Sequence, residues 1–81
     1  MMIRQSLQTL KEIAEAVTRD ERDDLEVTAV IPGEARGAYA EVLITRSSPG
    51  TGPAQMVIGV PRDLPEPDLR RTFTSKLRAR V

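Results

Sequence analysis

Eighty-one residues make one small domain, 1–81, and the chain holds neither cysteine nor histidine. That excludes disulfide staples, thiol chemistry, and the commonest general acid–base and transition-metal ligand. Twelve basic and twelve acidic residues cancel but are not mixed: residues 1–41 carry five and nine, a net of −4, and residues 42–81 carry seven and three, a net of +4.

A chain of this size buries only about two-thirds of its unfolded surface, so each apolar contact matters to its stability. No apolar run approaches the ~20 residues that span a membrane. The start, Met1-Met2-Ile3-Arg4-Gln5-Ser6, lacks the apolar core of a signal peptide. A cytoplasmic protein with no membrane partner is the expectation.

Residues 3–18 are predicted to form an amphipathic helix. Ile3, Leu7, Leu10, Ala14 and Val17 recur at spacings of four and three, and Ile13 and Ala16 widen the stripe. Thr18 to Asp24 has no apolar residue and four acids, Asp20, Glu21, Asp23 and Asp24. No glycine follows where an EF-hand loop needs one, so the segment reads as a solvated turn and not as a metal site.

Three runs with an apolar period of two then predict three strands. In 25–31, Leu25, Val27, Ala29 and Ile31 share one face, and Glu26, Thr28 and Val30 the other. In 38–46, Ala38, Ala40, Val42 and Ile44 oppose Tyr39, Glu41, Leu43 and Thr45. In 55–60, Met56, Ile58 and Val60 oppose Gln55, Val57 and Gly59. Pro32-Gly33 suits a type II turn with Gly33 at positive φ, which leaves Arg36 at the loop tip. Ser47-Ser48-Pro49-Gly50-Thr51-Gly52-Pro53 reads as a flexible hairpin loop. It is no Walker loop, because Pro53 leads into a strand where a Gly-Lys-Ser/Thr helix start is needed.

Residues 67–80 are predicted to form the closing helix. Pro67 suits a first turn, and Glu66 and Asp68 complement its positive end. Leu69, Phe73, Leu77 and Val81 make a narrow apolar stripe flanked by Arg70, Arg71, Lys76, Arg78 and Arg80. Such a stripe serves to dock the helix on its own sheet or on a partner.

The order αβββα with short connections predicts an α+β two-layer sandwich: a three-stranded antiparallel meander with an N-terminal and a C-terminal helix on one face. In element order alone the chain resembles double-stranded-RNA-binding domains and a family of small dimeric nucleoid-associated proteins. Where the closing helix of the first carries a lysine-rich start, Pro65-Glu66-Pro67-Asp68 stand here, and 33–37 lack the histidine of its first loop. Where the second has a glycine-rich approach to its first strand, Asp23-Asp24-Leu25-Glu26 stand. No binding residue carries over from either.

The uncovered sheet face holds Val30, Tyr39, Leu43 and Val57, and these are the candidate interface. At ~25 cal/mol per Å² of apolar surface, covering even a few hundred Å² there stabilises so small a domain appreciably. The expectation is a non-catalytic module that binds itself as a homodimer or binds another protein, through that face or a sheet edge. The alternative is nucleic-acid binding through Arg70, Arg71, Lys76, Arg78 and Arg80, with Arg62 and Arg46. An isoelectric point near 6.2 and only two aromatic residues, Tyr39 and Phe73, weigh against it. No cofactor or metal site and no catalytic residue is expected. The nearest approach to one is a carboxylate pair, Glu26 and Glu41, expected as cross-strand neighbours.

Overall fold

The computed structural model describes residues 4–33, 38–47 and 54–80. Its elements follow the order α1 (Leu7–Glu21), β1 (Leu25–Pro32), β2 (Tyr39–Arg46), β3 (Gln55–Pro61) and α2 (Glu66–Arg80). The α+β meander is present as expected: the sheet runs β1-β2-β3 with both pairs antiparallel.

The first helix starts later than its apolar spacing implies. Ser6 is extended, at φ −70° and ψ 159°, and its Oγ accepts the Thr9 N–H at 3.1 Å. That bond satisfies one of the first-turn donors, so the helix begins after Ser6, while Ile3 lies outside the described residues. It also runs further than expected. Arg19, Asp20 and Glu21 are helix-compatible and no glycine or proline intervenes, so charge alone does not end it. Thr18, expected in a solvated turn, is buried at 1% exposure.

The register of β1 departs from strict alternation. Val27 pairs with Ile44, but Ala29, not Thr28, pairs with Leu43, so Thr28 is an extra residue in a β-bulge. Its Oγ1 donates to the Leu43 carbonyl at 3.2 Å. Beyond the bulge the faces exchange. Val30 lies opposite Val42 and packs against the core, whereas Ala29 and Ile31 turn to the uncovered side. The expectation that Ala29 and Ile31 face the core, and Val30 the open side, is corrected accordingly.

Both helices lie on one face. α1 packs on β1, α2 on β3, and the two helices touch each other. The core joins Leu10, Ile13 and Val17 of α1 to Val42, Ile44 and Ile58 of the sheet and to Leu69, Phe73 and Leu77 of α2, while Val81 lies outside the described residues. Leu69, Phe73 and Leu77 are 1%, 2% and 0% exposed, so α2 docks on its own sheet. The helices run side by side in the same direction. At their starts, Gln5 N–H donates to Arg62 O at 2.7 Å, and Arg62 Nε donates back to Gln5 O at 3.0 Å. At their ends, Arg78 Nη2 lies 2.8 Å from Glu21 Oε1.

Gly33 carries no positive φ, contrary to the type II turn expected of it. Its N–H donates to Tyr39 O at 2.9 Å, which extends the β1–β2 ladder. Glycine is suited to that close approach, since a Cβ would come within 3.2 Å of the Tyr39 carbonyl oxygen. Arg36 and most of the second loop, 48–53, lie outside the described residues.

The two sheet edges follow from the same ladder. Arg62 N–H donates to Ala38 O and Arg46 N–H to Ala54 O, so Gln55, Val57 and Gly59 point their amides at the free edge of β3. Pro61 stands at the same parity with no N–H to offer. Lys76 Nζ donates to the Gly59 carbonyl there at 2.6 Å. On β1, Gly33 N–H pairs inward, which leaves Pro32, again without an N–H, in an outward position. A bulge and a proline on one edge, and a lysine and a proline on the other, are devices that discourage strand addition.

Candidate functional site

The uncovered face of the sheet can be laid out in rows from the register. Ala29, Leu43 and Val57 form one row across the three strands. Ile31, Glu41 and Gly59 form the next, and Tyr39 and Pro61 lie beyond them. On the other side of the Leu43 row stand Glu26, Thr45 and Gln55. Alternation places these side chains outward because their chain neighbours Val42, Ile44 and Ile58 are buried beneath the helices.

Among the described residues the exposed large hydrophobics are Ile31, Tyr39 and Val57, at 42%, 48% and 44%. All three fall on this face, around a half-buried Leu43. Three of the four residues expected to form it, Tyr39, Leu43 and Val57, are therefore brought together. Val30 is not, because the bulge turns it to the core. Ile31 takes its place, a residue that plain alternation assigns to the interior. Beside Leu43 the surface dips into a hollow of about 70 Å³ lined by Thr28, Thr45, Gln55 and Val57 among others.

Glu26 and Glu41 share the face but are not cross-strand neighbours. Glu26 lies opposite Thr45, and Glu41 opposite Ile31. At ~3.4 Å per residue the two rows are roughly 14 Å apart, too far for one carboxylate to act on the other. Glu41 stands on the central strand, half-buried, with glycines on two sides. A Cβ at Gly33 would lie 3.5 Å from Glu41 Cγ, and one at Gly59 would meet nothing within 4 Å. Its carboxylate makes no hydrogen bond or ion pair among the described residues.

The second candidate surface is the outer side of α2. Arg70 Nε lies 3.4 Å from Glu66 Oε1, and Arg71 Nη1 3.5 Å from Asp68 Oδ1. Arg78 is held by Glu21, and Lys76 by the Gly59 carbonyl. Arg80 is exposed with no partner among the described residues. These are surface contacts worth little individually, but they give Arg70, Arg71, Lys76 and Arg78 partners and leave only Arg80 of that row without one among the described residues. Arg62 is committed to the clasp with Gln5, and Arg46 is half-buried at the end of β2.

The acidic segment before β1 contains no metal cluster among the described residues. Asp24 instead accepts Arg22 at 2.7 Å, and that hydrogen bond with its charge raises the Arg22 guanidinium further above its ordinary range. A hollow of about 260 Å³ lies between the end of α1 and β1, lined by Glu15, Thr18, Arg19, Arg22, Asp23 and Glu26 among others. The Thr18 hydroxyl beside it is buried without a hydrogen-bond partner. Among the described residues no helix is long and apolar enough to cross a membrane.

No family model, no curated protein and no solved structure matches the chain. The likeness to two nucleic-acid-binding families therefore rests on element order alone.

Proposed function

We propose that this chain is a non-catalytic protein-interaction module that docks a polypeptide surface, a second copy included, on the open face of its sheet. One observation carries the reading: the large apolar side chains it leaves in water gather on that face and nowhere else among the described residues. The helices already cover the other face, and the edges are blunted by Pro32, Pro61, Lys76 and the bulge. Of the routes open to so small a sheet, the face is thus favoured over an edge. A cytoplasmic site of action suits a chain without cysteine.

The test compares wild type with Val57→Lys, a change at an exposed position that leaves the core untouched. Sedimentation equilibrium at ~100 µM reads self-association, and affinity capture in the native cell reads other partners. Loss of a dimer or of a captured protein on Val57→Lys supports the reading. A wild-type monomer whose captured proteins are unchanged by Val57→Lys counts against it.

A further inference from the structure

Whatever covers Ile31, Tyr39, Leu43 and Val57 must also cover Glu41. That residue lies within the apolar patch, on the central strand, between the Leu43 and Tyr39 rows. Among the described residues the strands place two carboxylates on this face, Glu41 and Glu26, and no cation. Lys76 reaches the same row from the helix layer, but its ammonium is spent on the Gly59 carbonyl at the outer edge of β3. Removing a carboxylate from water is costly unless a charged donor replaces the lost hydrogen bonds.

A second copy does not meet that need. A two-fold contact applies the face to a copy of itself, and among the described residues the strands of that face offer Glu41 no cation, whichever residues the axis brings opposite it. A carboxylate covered without a charged donor opposes association.

We propose that the occupant is a different protein that presents an arginine surrounded by apolar side chains, and that this arginine pairs with Glu41. The space above Gly59, where a Cβ would meet nothing within 4 Å, admits the side chain beside Glu41. The planar guanidinium matches a carboxylate through two parallel hydrogen bonds. Tyr39, two residues along β2 on the same face, offers an aromatic surface for it to stack on. Ile31, Leu43 and Val57 supply the apolar surroundings that keep the pair dry.

This inference rests on the open-face reading, and the experiment separates the two. The full chain is used to select from a random peptide display library, and selected peptides are then measured by fluorescence polarisation. The expected peptides carry arginine flanked by apolar residues. Replacing that arginine by glutamine is expected to weaken binding about tenfold or more, as for a buried charge-assisted pair. Glu41→Gln is expected to give the same loss with the arginine peptide and little further loss with the glutamine peptide. Val57→Lys is expected to abolish binding of both, with circular dichroism checking that each variant is folded. Binding lost on Val57→Lys but indifferent to both glutamine changes overturns the arginine pair and leaves the face reading standing. Binding unaffected by Val57→Lys overturns both. An empty selection overturns the inference, as does a wild-type dimer at neutral pH that Val57→Lys dissociates, although that dimer upholds the face reading.

Discussion

The bulge in β1 decides which residues belong to the open face, and a pair of substitutions tests it. Strict alternation from Leu25 buries Ala29 and exposes Val30. The observed register does the reverse, with Val30 opposite the buried Val42 and Ala29 opposite Leu43. Val30→Asp should therefore be the damaging change. Val30 is half-buried, so losing its apolar contact costs about 1 kcal/mol, roughly half of a fully buried valine. Turning a carboxylate toward Val42 and the helix layer adds about 1–3 kcal/mol, because no cationic side chain stands opposite it in the register. The sum, about 2–4 kcal/mol, is a large part of the roughly 4–12 kcal/mol that a domain of this length commands. Ala29→Asp, on the open side, should cost less than about 1 kcal/mol. Urea unfolding followed by far-UV circular dichroism reads both, and thermal melts should separate the variants by roughly 10 °C or more. If Ala29→Asp proves the more damaging, β1 runs without the bulge, and Ile31 leaves the proposed docking surface.

Two further outcomes follow from the helices. Ser6→Ala removes the acceptor of the Thr9 N–H and should cost about 1 kcal/mol, a drop in melting temperature of roughly 4–8 °C; no change would mean that the helix starts elsewhere. Labelled duplex and single-stranded oligonucleotides at about 50 mM salt should show no saturable binding at tens of micromolar protein, since most cations of α2 are already engaged by carboxylates or the sheet. Tight binding whose logarithm falls with that of salt concentration at a slope of about −4 would refute that and restore α2 as the functional surface.

The order of elements and the apolar faces of β2 and β3 are legible in the sequence because their side chains alternate without interruption. Tyr39, Leu43 and Val57 could thus be placed on the open face in advance. The face of β1 beyond Val27 could not. Its bulge inserts an ordinary threonine, with no glycine to mark it, and one extra residue exchanges Val30 with Ile31. Ser6 is a good cap, but it stands inside the periodic run, whose apolar spacing reaches back to Ile3, so spacing alone misplaces the helix start. Its end was hidden because a run of mixed charges is as compatible with a last helical turn as with a loop. The clasp between Gln5 and Arg62 joins residues 57 positions apart, a separation at which local pattern carries no information.

The bulge also bears on why the face is apolar at all. For an isolated domain the exchange it makes is a poor one. The core receives Val30, and the larger Ile31 is left 42% exposed. Counting Ile31 against Val30 alone, the difference of one methylene corresponds to about 0.8 kcal/mol of burial forgone, and Ala29 leaves the core face as well. A bulge also interrupts a ladder that a regular strand would complete. Two compensations are visible. The edge of β1 becomes a worse template for another strand, which protects the monomer. The open face gains a branched apolar side chain directly beside Glu41. Edge protection alone does not need that second effect, since a polar residue at position 31 would leave the bulge equally effective. Isoleucine there suits a strand, but it leaves apolar surface in water that a partner would cover. The side chain at 31, which local pattern assigns to the core, is in this sense the strongest single residue in favour of a covered face.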